Sequence, residues 1–131
     1  MFLDASAVMA ILLQEEGFEV LLSRIQASTT SLKTSPFAYV ETVLNFASRT
    51  KTTIDVAMDV VAEFNGTLGV ENVTITPEIG VAATRLYARY GKGHGHPARL
   101  NLGDCFAAAV ANHLRMPLLS KGSDFARTDF A

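Results

Sequence analysis

Four carboxylates stand where a solvated acid is not expected. Asp4 ends a short apolar run, between Leu3 and Ala5. Glu41 follows Tyr39-Val40 on a stretch with helical, core-type spacing. Asp104 opens the most apolar segment of the chain, Cys105 to Arg115. Asp124 closes the turn Lys121-Gly122-Ser123-Asp124. Each has an ordinary reading alone: Asp4 or Asp104 as a helix cap, Asp124 as a turn residue, Glu41 as half of an ion pair. As a set they predict a carboxylate cluster, because acids are almost never fully buried unless paired or bound to a cation. Unpaired, they would raise each other's pKa. A hard divalent cation, Mg²⁺ or Mn²⁺, removes that penalty and prefers oxygen ligands. Such a site polarises a phosphoryl oxygen and activates a water. Glu15, Glu16, Glu19, Asp55, Asp59, Glu63 and Glu71 read as solvated surface.

The elements that must carry these acids follow from periodicity. Met1-Phe2-Leu3 reads as a buried strand ending at Asp4, with Ser6 as a helix N-cap and a buried helix over 7–13. Phe18 to Gln26 is amphipathic, with Phe18, Leu21, Leu22 and Ile25 on one face. Residues 28–35 suggest a short strand or loop. Ser35-Pro36 starts a helix that carries Tyr39, Val40, Val43, Leu44 and Ala47 toward the core. Another helix runs from Thr53 to Leu68, its inner face Ile54, Ala57, Val61 and Phe64. Residues 73–76 alternate like a strand, and Glu78 to Tyr90 is helical. A glycine-rich loop, Gly91 to Pro97, precedes the helix over 105–115, and Pro117 to Ser120 is a last strand. Helices alternating with short apolar strands argue for a single α/β domain over 1–131 with a mainly parallel sheet. Ligands of such sheets bind outside the carboxyl ends of the strands, where Asp4 and Asp124 both fall.

Composition bounds the function classes. The 131 residues are 49% hydrophobic and 18% charged, which suits one packed domain and excludes a disordered chain. No apolar run reaches the ~20 residues of a membrane span. No basic segment precedes the first apolar stretch, so a signal peptide is not expected. One cysteine, Cys105, excludes an internal disulfide and a multi-cysteine zinc site, and fits a reducing, cytoplasmic setting. The net charge of −2 is uneven: residues 81–131 carry seven bases against Asp104, Asp124 and Asp129. That asymmetry raises the prior for an anionic ligand.

With these motifs in place, the chain resembles PIN-domain ribonucleases, and among them the VapC toxins of type II toxin–antitoxin systems. Met1-Phe2-Leu3-Asp4-Ala5-Ser6-Ala7 is similar to the family's first strand and first acid, and Glu41 to its second acid. Leu100 to Ala107, with its Gly103-Asp104-Cys105 step, closely resembles the third motif, and Leu118 to Phe125 the fourth. The likeness spans the chain, with all four motifs in order. One departure lies in the last. Many members carry the acid two residues earlier, where Gly122 stands, and others carry two successive acids, the first of which is Ser123 here. Asp124 is therefore the candidate in this turn, with Asp129 a nearby reserve.

The resemblance implies a three-layer α/β/α sandwich and Mg²⁺ or Mn²⁺ at the acid cluster. It implies endonucleolytic cleavage of structured RNA, commonly tRNA or rRNA, and so arrested translation. It further implies a VapB-type antitoxin covering the site and a toxin homodimer. On that reading Asp4, Glu41 and Asp104 hold one or two ions, with Asp124 supporting, and products end in 5′-phosphate and 3′-hydroxyl. Ser6 and Ser120 are supporting residues for a water or phosphate oxygen. Lys92, Arg99, Lys121 and Arg89 meet RNA phosphates, and Phe125 lies beside the site. The competing readings are a catalytically inactive PIN-like module that binds RNA or a partner, an aspartyl phosphatase and a receiver-like signalling domain. Acid spacing disfavours the last two, since a phosphatase of the haloacid-dehalogenase type needs an Asp where Ser6 stands.

Overall fold

Helix starts in this chain are written in side chains that accept from the backbone. In the computed structural model, which describes residues 1–130, Asp4 caps α1 (Ala5–Leu12), and Ser35 caps α3 (Pro36–Thr50). Thr53 caps α4 (Ile54–Leu68), Thr76 caps α5 (Pro77–Tyr90), and Asn101 caps α6 (Leu102–His113). Each takes an orphan N–H of the first turn. Pro36 and Pro77 sit at the first turn, where a missing N–H costs nothing. The remaining helix, α2 (Phe18–Gln26), starts after Gly17 without a side-chain cap.

Four two-residue strands form the sheet: β1 (Phe2–Leu3), β2 (Lys33–Thr34), β3 (Glu71–Asn72) and β4 (Leu118–Leu119). Their order is β3-β2-β1-β4 and every pairing is parallel. Alternation then divides the core in two. Phe2 and Leu118 face one side, packed with Ile79, Ala83 and Tyr90 of α5 and the Ala-rich face of α6. Leu3 and Leu119 face the other, with Ala7, Val8 and Ala10 of α1, Leu21 and Ile25 of α2, and Phe64 and Leu68 of α4. The result is the α/β/α sandwich expected from the sequence. A smaller cluster, Val43, Ala47, Ala57 and Val61, joins α3 to α4, and Phe37 stacks on Phe106 at 4.8 Å to join α3 to α6.

Several local expectations are corrected. Helix α1 begins at Ala5, because Asp4 rather than Ser6 supplies the cap. The third strand lies at 71–72, not 73–76. Val73 N–H still donates to Thr34, but the chain beyond must turn to present Thr76 as a cap. Val73 and Ile75 therefore pack under α5 and α6 as irregular chain. Val40 and Leu44 are half exposed, because α3 buries the narrower face made by Ala38, Thr42, Val43 and Ala47. Ile54 is also exposed; it stands in the first turn of α4, before Ala57 and Val61 reach α3.

Phe2 is fully buried on the central strand. Phe2→Ala is expected to cost about 3–5 kcal/mol in urea-denaturation free energy, without moving the midpoint's dependence on divalent cation.

Candidate active site

Asp4 leaves β1 and enters α1 at the carboxyl edge of the sheet, the edge that topology reserves for ligands. It is 5% exposed. Its Oδ2 accepts from Ser6 N–H at 3.1 Å and from Ser6 Oγ at 2.5 Å, while the Ser6 hydroxyl oxygen accepts from Lys121 N–H at 3.0 Å. One serine thus ties the first acid to the turn after β4. Asp104 is fixed by a capping box: its N–H donates to Asn101 Oδ1 at 2.8 Å, and its Oδ2 accepts from Asn101 N–H at 3.0 Å. Glu41 comes from α3 and lies flat against α6 at Gly103. A Cβ on Gly103 would fall 2.6 Å from both Oε1 and the carboxyl carbon of Glu41. A side chain at 103 would force that carboxylate to move, which gives the glycine before Asp104 a physical role.

These acids line one pocket of about 490 Å³ together with Asp124, Ser6, Asn101 and Lys121. The pocket is electrostatically tense. Burial, with a smaller push from Asp4 and Asp104, raises the Glu41 carboxyl to about 7. Burial also raises Asp104 to about 6, partly offset by the Asn101 N–H and helped by Asp4 and Asp124. Asp4 is raised as well, chiefly by burial, against the lowering bonds from Ser6. Among the described residues no three His, Cys, Asp or Glu side chains stand as a ready-made ligand group. The fit to a cation rests on the donor set: desolvated carboxylate oxygens that repel one another and face a common space suit a hard divalent ion.

Sequence reasoning missed part of this pocket. Glu15, read as solvated surface, forms ion pairs with Lys121 Nζ at 3.2 Å and Arg49 Nη2 at 3.7 Å, and all three line the cavity. Asn45, Ser48 and Arg49 line it too. Their spacing from Glu41 is i+4, i+7 and i+8, one stripe of α3, and that period was the available signal.

Other expected site residues lie elsewhere. Ser120 lines a separate depression with Phe125 and Phe130. Phe125 is buried in the core under α5 and α6, not presented beside the acids. Asp129 accepts from Arg89 and the Tyr90 hydroxyl, outside the acid pocket. Arg89, Lys92 and Arg99 are exposed on α5 and the following loop and do not line the pocket. That loop is pinned to α5 by edge-on contacts of His94 with Tyr87 and His96 with Tyr90. Cys105 is buried, with its thiol pushed up to about 11 by burial. No described helix is long and apolar enough to cross a membrane.

Known proteins are similar to this chain in sequence and in fold. The PIN-domain family profile matches residues 1–131. A VapC ribonuclease of Rhizobium meliloti (strain 1021) is 41% identical, over 98% of this chain and 97% of its own. Ribonuclease VapC42 of Mycobacterium tuberculosis is 35% identical, over 98% and 95%. In three dimensions the chain is similar to Mycobacterium tuberculosis VapC20, described as a sarcin–ricin loop cleaving toxin. The TM-score is 0.76 at 17% identity, over 99% of this chain and 95% of that one. A toxin–antitoxin complex from Klebsiella pneumoniae gives a TM-score of 0.69 at 15% identity, over 98% and 92%.

Two outcomes follow from the crowded acids. A carboxyl whose pKa is raised on folding holds its proton more tightly folded than unfolded, so folding takes up protons between about pH 4 and 7. The cation-free protein should therefore lose stability as pH rises through that window, and Mg²⁺ or Mn²⁺ should restore it at pH 7.5. Scanning calorimetry checks both, with Glu41→Gln expected to flatten the pH dependence and raise the cation-free melting temperature by about 5 °C. Separately, Gly103→Ala should displace the Glu41 carboxylate and lower RNA cleavage by about a hundredfold, a rate that a cleavage time course measures directly.

Proposed function

The chain belongs to the PIN-domain family, among the VapC ribonucleases, and from that membership we propose that it is an endoribonuclease toxin, dependent on Mg²⁺ or Mn²⁺, that cuts structured RNA. The observation that carries the reading is the convergence of Asp4, Glu41, Asp104 and Asp124 on one pocket at the carboxyl edge of the sheet. Asp4, Glu41 and Asp104 would hold the ion, with Asp124 at the exposed rim. When bound, a divalent cation supplies positive charge for a phosphoryl oxygen and lowers the pKa of a water.

The chain's own groups do the positioning. Ser6 holds the Asp4 carboxylate by two donors and so fixes which face it turns to the pocket. The capping box does the same for Asp104. Burial raises the Glu41 carboxyl to about 7, so it is partly protonated at neutral pH, and a bound cation would favour its ionised form. Cleavage by an activated water would leave 5′-phosphate and 3′-hydroxyl ends and make no use of the 2′-hydroxyl. Choice of RNA then comes from shape and contact. Lys121 at the pocket, and Arg89, Lys92 and Arg99 farther out, are the proposed phosphate contacts. The substrate class is tRNA or rRNA; the sarcin–ricin loop named for the VapC20 neighbour makes rRNA a concrete candidate. The partner set is a VapB-type antitoxin and a second copy of the toxin, acting in the cytoplasm. The toxin–antitoxin complex among the structural neighbours supports the first.

Incubating total cellular RNA with the purified, antitoxin-free protein tests the reading. Discrete fragments with 5′-phosphate ends are expected with Mg²⁺ or Mn²⁺, and none with EDTA or with Asp4→Asn, whose rate should fall at least a hundredfold. Intact RNA after incubation with folded, cation-loaded protein would sink the nuclease reading and favour a binding module.

A further inference from the structure

The pocket's lining is not all acid. Arg49 and Lys121 stand there, both drawn to a single carboxylate oxygen, Glu15 Oε2, at 3.7 and 3.2 Å. One acid against two bases leaves an excess positive charge facing the cavity. Glu15 is also the best anchored of the three. It follows α1 in a Schellman turn: Gln14 takes left-handed backbone at φ 50°, Gln14 N–H donates to Ile11 and Glu15 N–H to Ala10. The turn fixes the backbone from which the Glu15 side chain reaches Arg49 and Lys121. Its side chain is only 23% exposed, against 57% for Arg49 and 38% for Lys121.

The two sets of charges are joined. Lys121 N–H donates to Ser6 Oγ, and Ser6 Oγ donates to Asp4. Lys121 is therefore held by its backbone to the first acid and by its ammonium to Glu15. Arg49 reaches the same point from the α3 stripe that begins with Glu41. Each pole thus has one group on the turn after β4 and one on α3.

The geometry points to a phosphate subsite at Arg49 and Lys121, which takes a backbone phosphate next to the one being cut, with Glu15 as the residue that positions both cations. The assignment rests on the ribonuclease reading for its substrate, and on the Glu15 ion pairs for its place. A nucleic-acid backbone presents its phosphates in series, so a strand with one phosphate at the acids would set a neighbour against a fixed pair of cations. Glu15 is a positioning residue: it touches the cations and not the substrate. Its removal makes the pocket more positive and leaves the cations untethered. Binding and catalysis should then move in opposite directions.

The test has two arms. In the first, a fluorescein-labelled RNA hairpin with an unpaired loop is titrated against the Asp4→Asn protein in Mg²⁺ at increasing NaCl, by anisotropy. Arg49→Met and Lys121→Met, each added to that background, should lower the slope of log K against log salt by about 0.7, the loss of one phosphate contact. Unchanged slopes in both overturn the subsite. In the second arm, kcat and KM are measured on the RNA that the otherwise wild-type protein cleaves. Glu15→Gln should leave KM equal or lower while kcat falls about tenfold or more, and Glu15→Asp should recover part of kcat. A raised kcat in Glu15→Gln would make Glu15 a mere competitor for the cations and overturn its positioning role. If the wild-type protein cuts no RNA yet the slopes fall as stated, the nuclease reading fails alone and the phosphate subsite stands. Melting curves within a few degrees of the parent confirm that each variant is folded.

Discussion

Taking like charges out of water beside one another is the constraint to which this fold answers. Asp4 is almost wholly buried, and Glu41 and Asp104 are raised toward neutrality by burial and by their neighbours. Asp4 is held by a serine that donates twice and Asp104 by an asparagine in a capping box, while Glu41 takes the space that Gly103 leaves open. None of these devices neutralises the charge. They offset part of the burial cost and leave the rest, which suits a pocket whose missing partner is a cation. The surrounding core must therefore carry a local instability. The close packing of Phe2, Leu3, Leu100 and Leu119, all fully buried, does so.

The acids were legible in the sequence because their surroundings are apolar. Asp4 after Phe2-Leu3 and Asp104 before an alanine-rich run are anomalies that hydrophobic patterning exposes. An α/β layer fold with a mainly parallel sheet was legible from apolar strands between amphipathic helices, and its three layers from the resemblance. Less was visible where one pattern serves two outcomes. Val73 to Thr76 alternates, but a cap at Thr76 and a proline behind it claim the backbone for a helix start. Val40 and Leu44 satisfy helical spacing, yet α3 turns its small residues inward.

Glu15 and Arg49 show a different limit. Both are polar residues on segments with good surface patterning; Arg49 shares the helical stripe of Glu41, and nothing in its local sequence sets Glu15 apart. Their meaning comes from a tertiary coincidence between the end of α1, the last half of α3 and the turn after β4. Ser120 and Phe125 illustrate the converse. They neighbour the fourth motif in sequence, but the turn after β4 carries them to the other side of the strand end. Proximity along a turn is a poor guide to which side of a sheet edge a side chain reaches.

The sheet's order has a consequence for the timing of synthesis. Strand β1 is central, flanked by β2 and by β4, so Phe2 pairs with Lys33 on one side and with Leu118 on the other. The β1–β4 pairing closes a loop of more than a hundred residues, the kind of contact that forms last because its entropy is spent before any packing is gained. While a ribosome is still extending the chain, Asp4 waits on a half-paired strand for Asp104, Lys121 and Asp124 to emerge. The acid pocket is therefore assembled only after the turn that follows β4 has emerged.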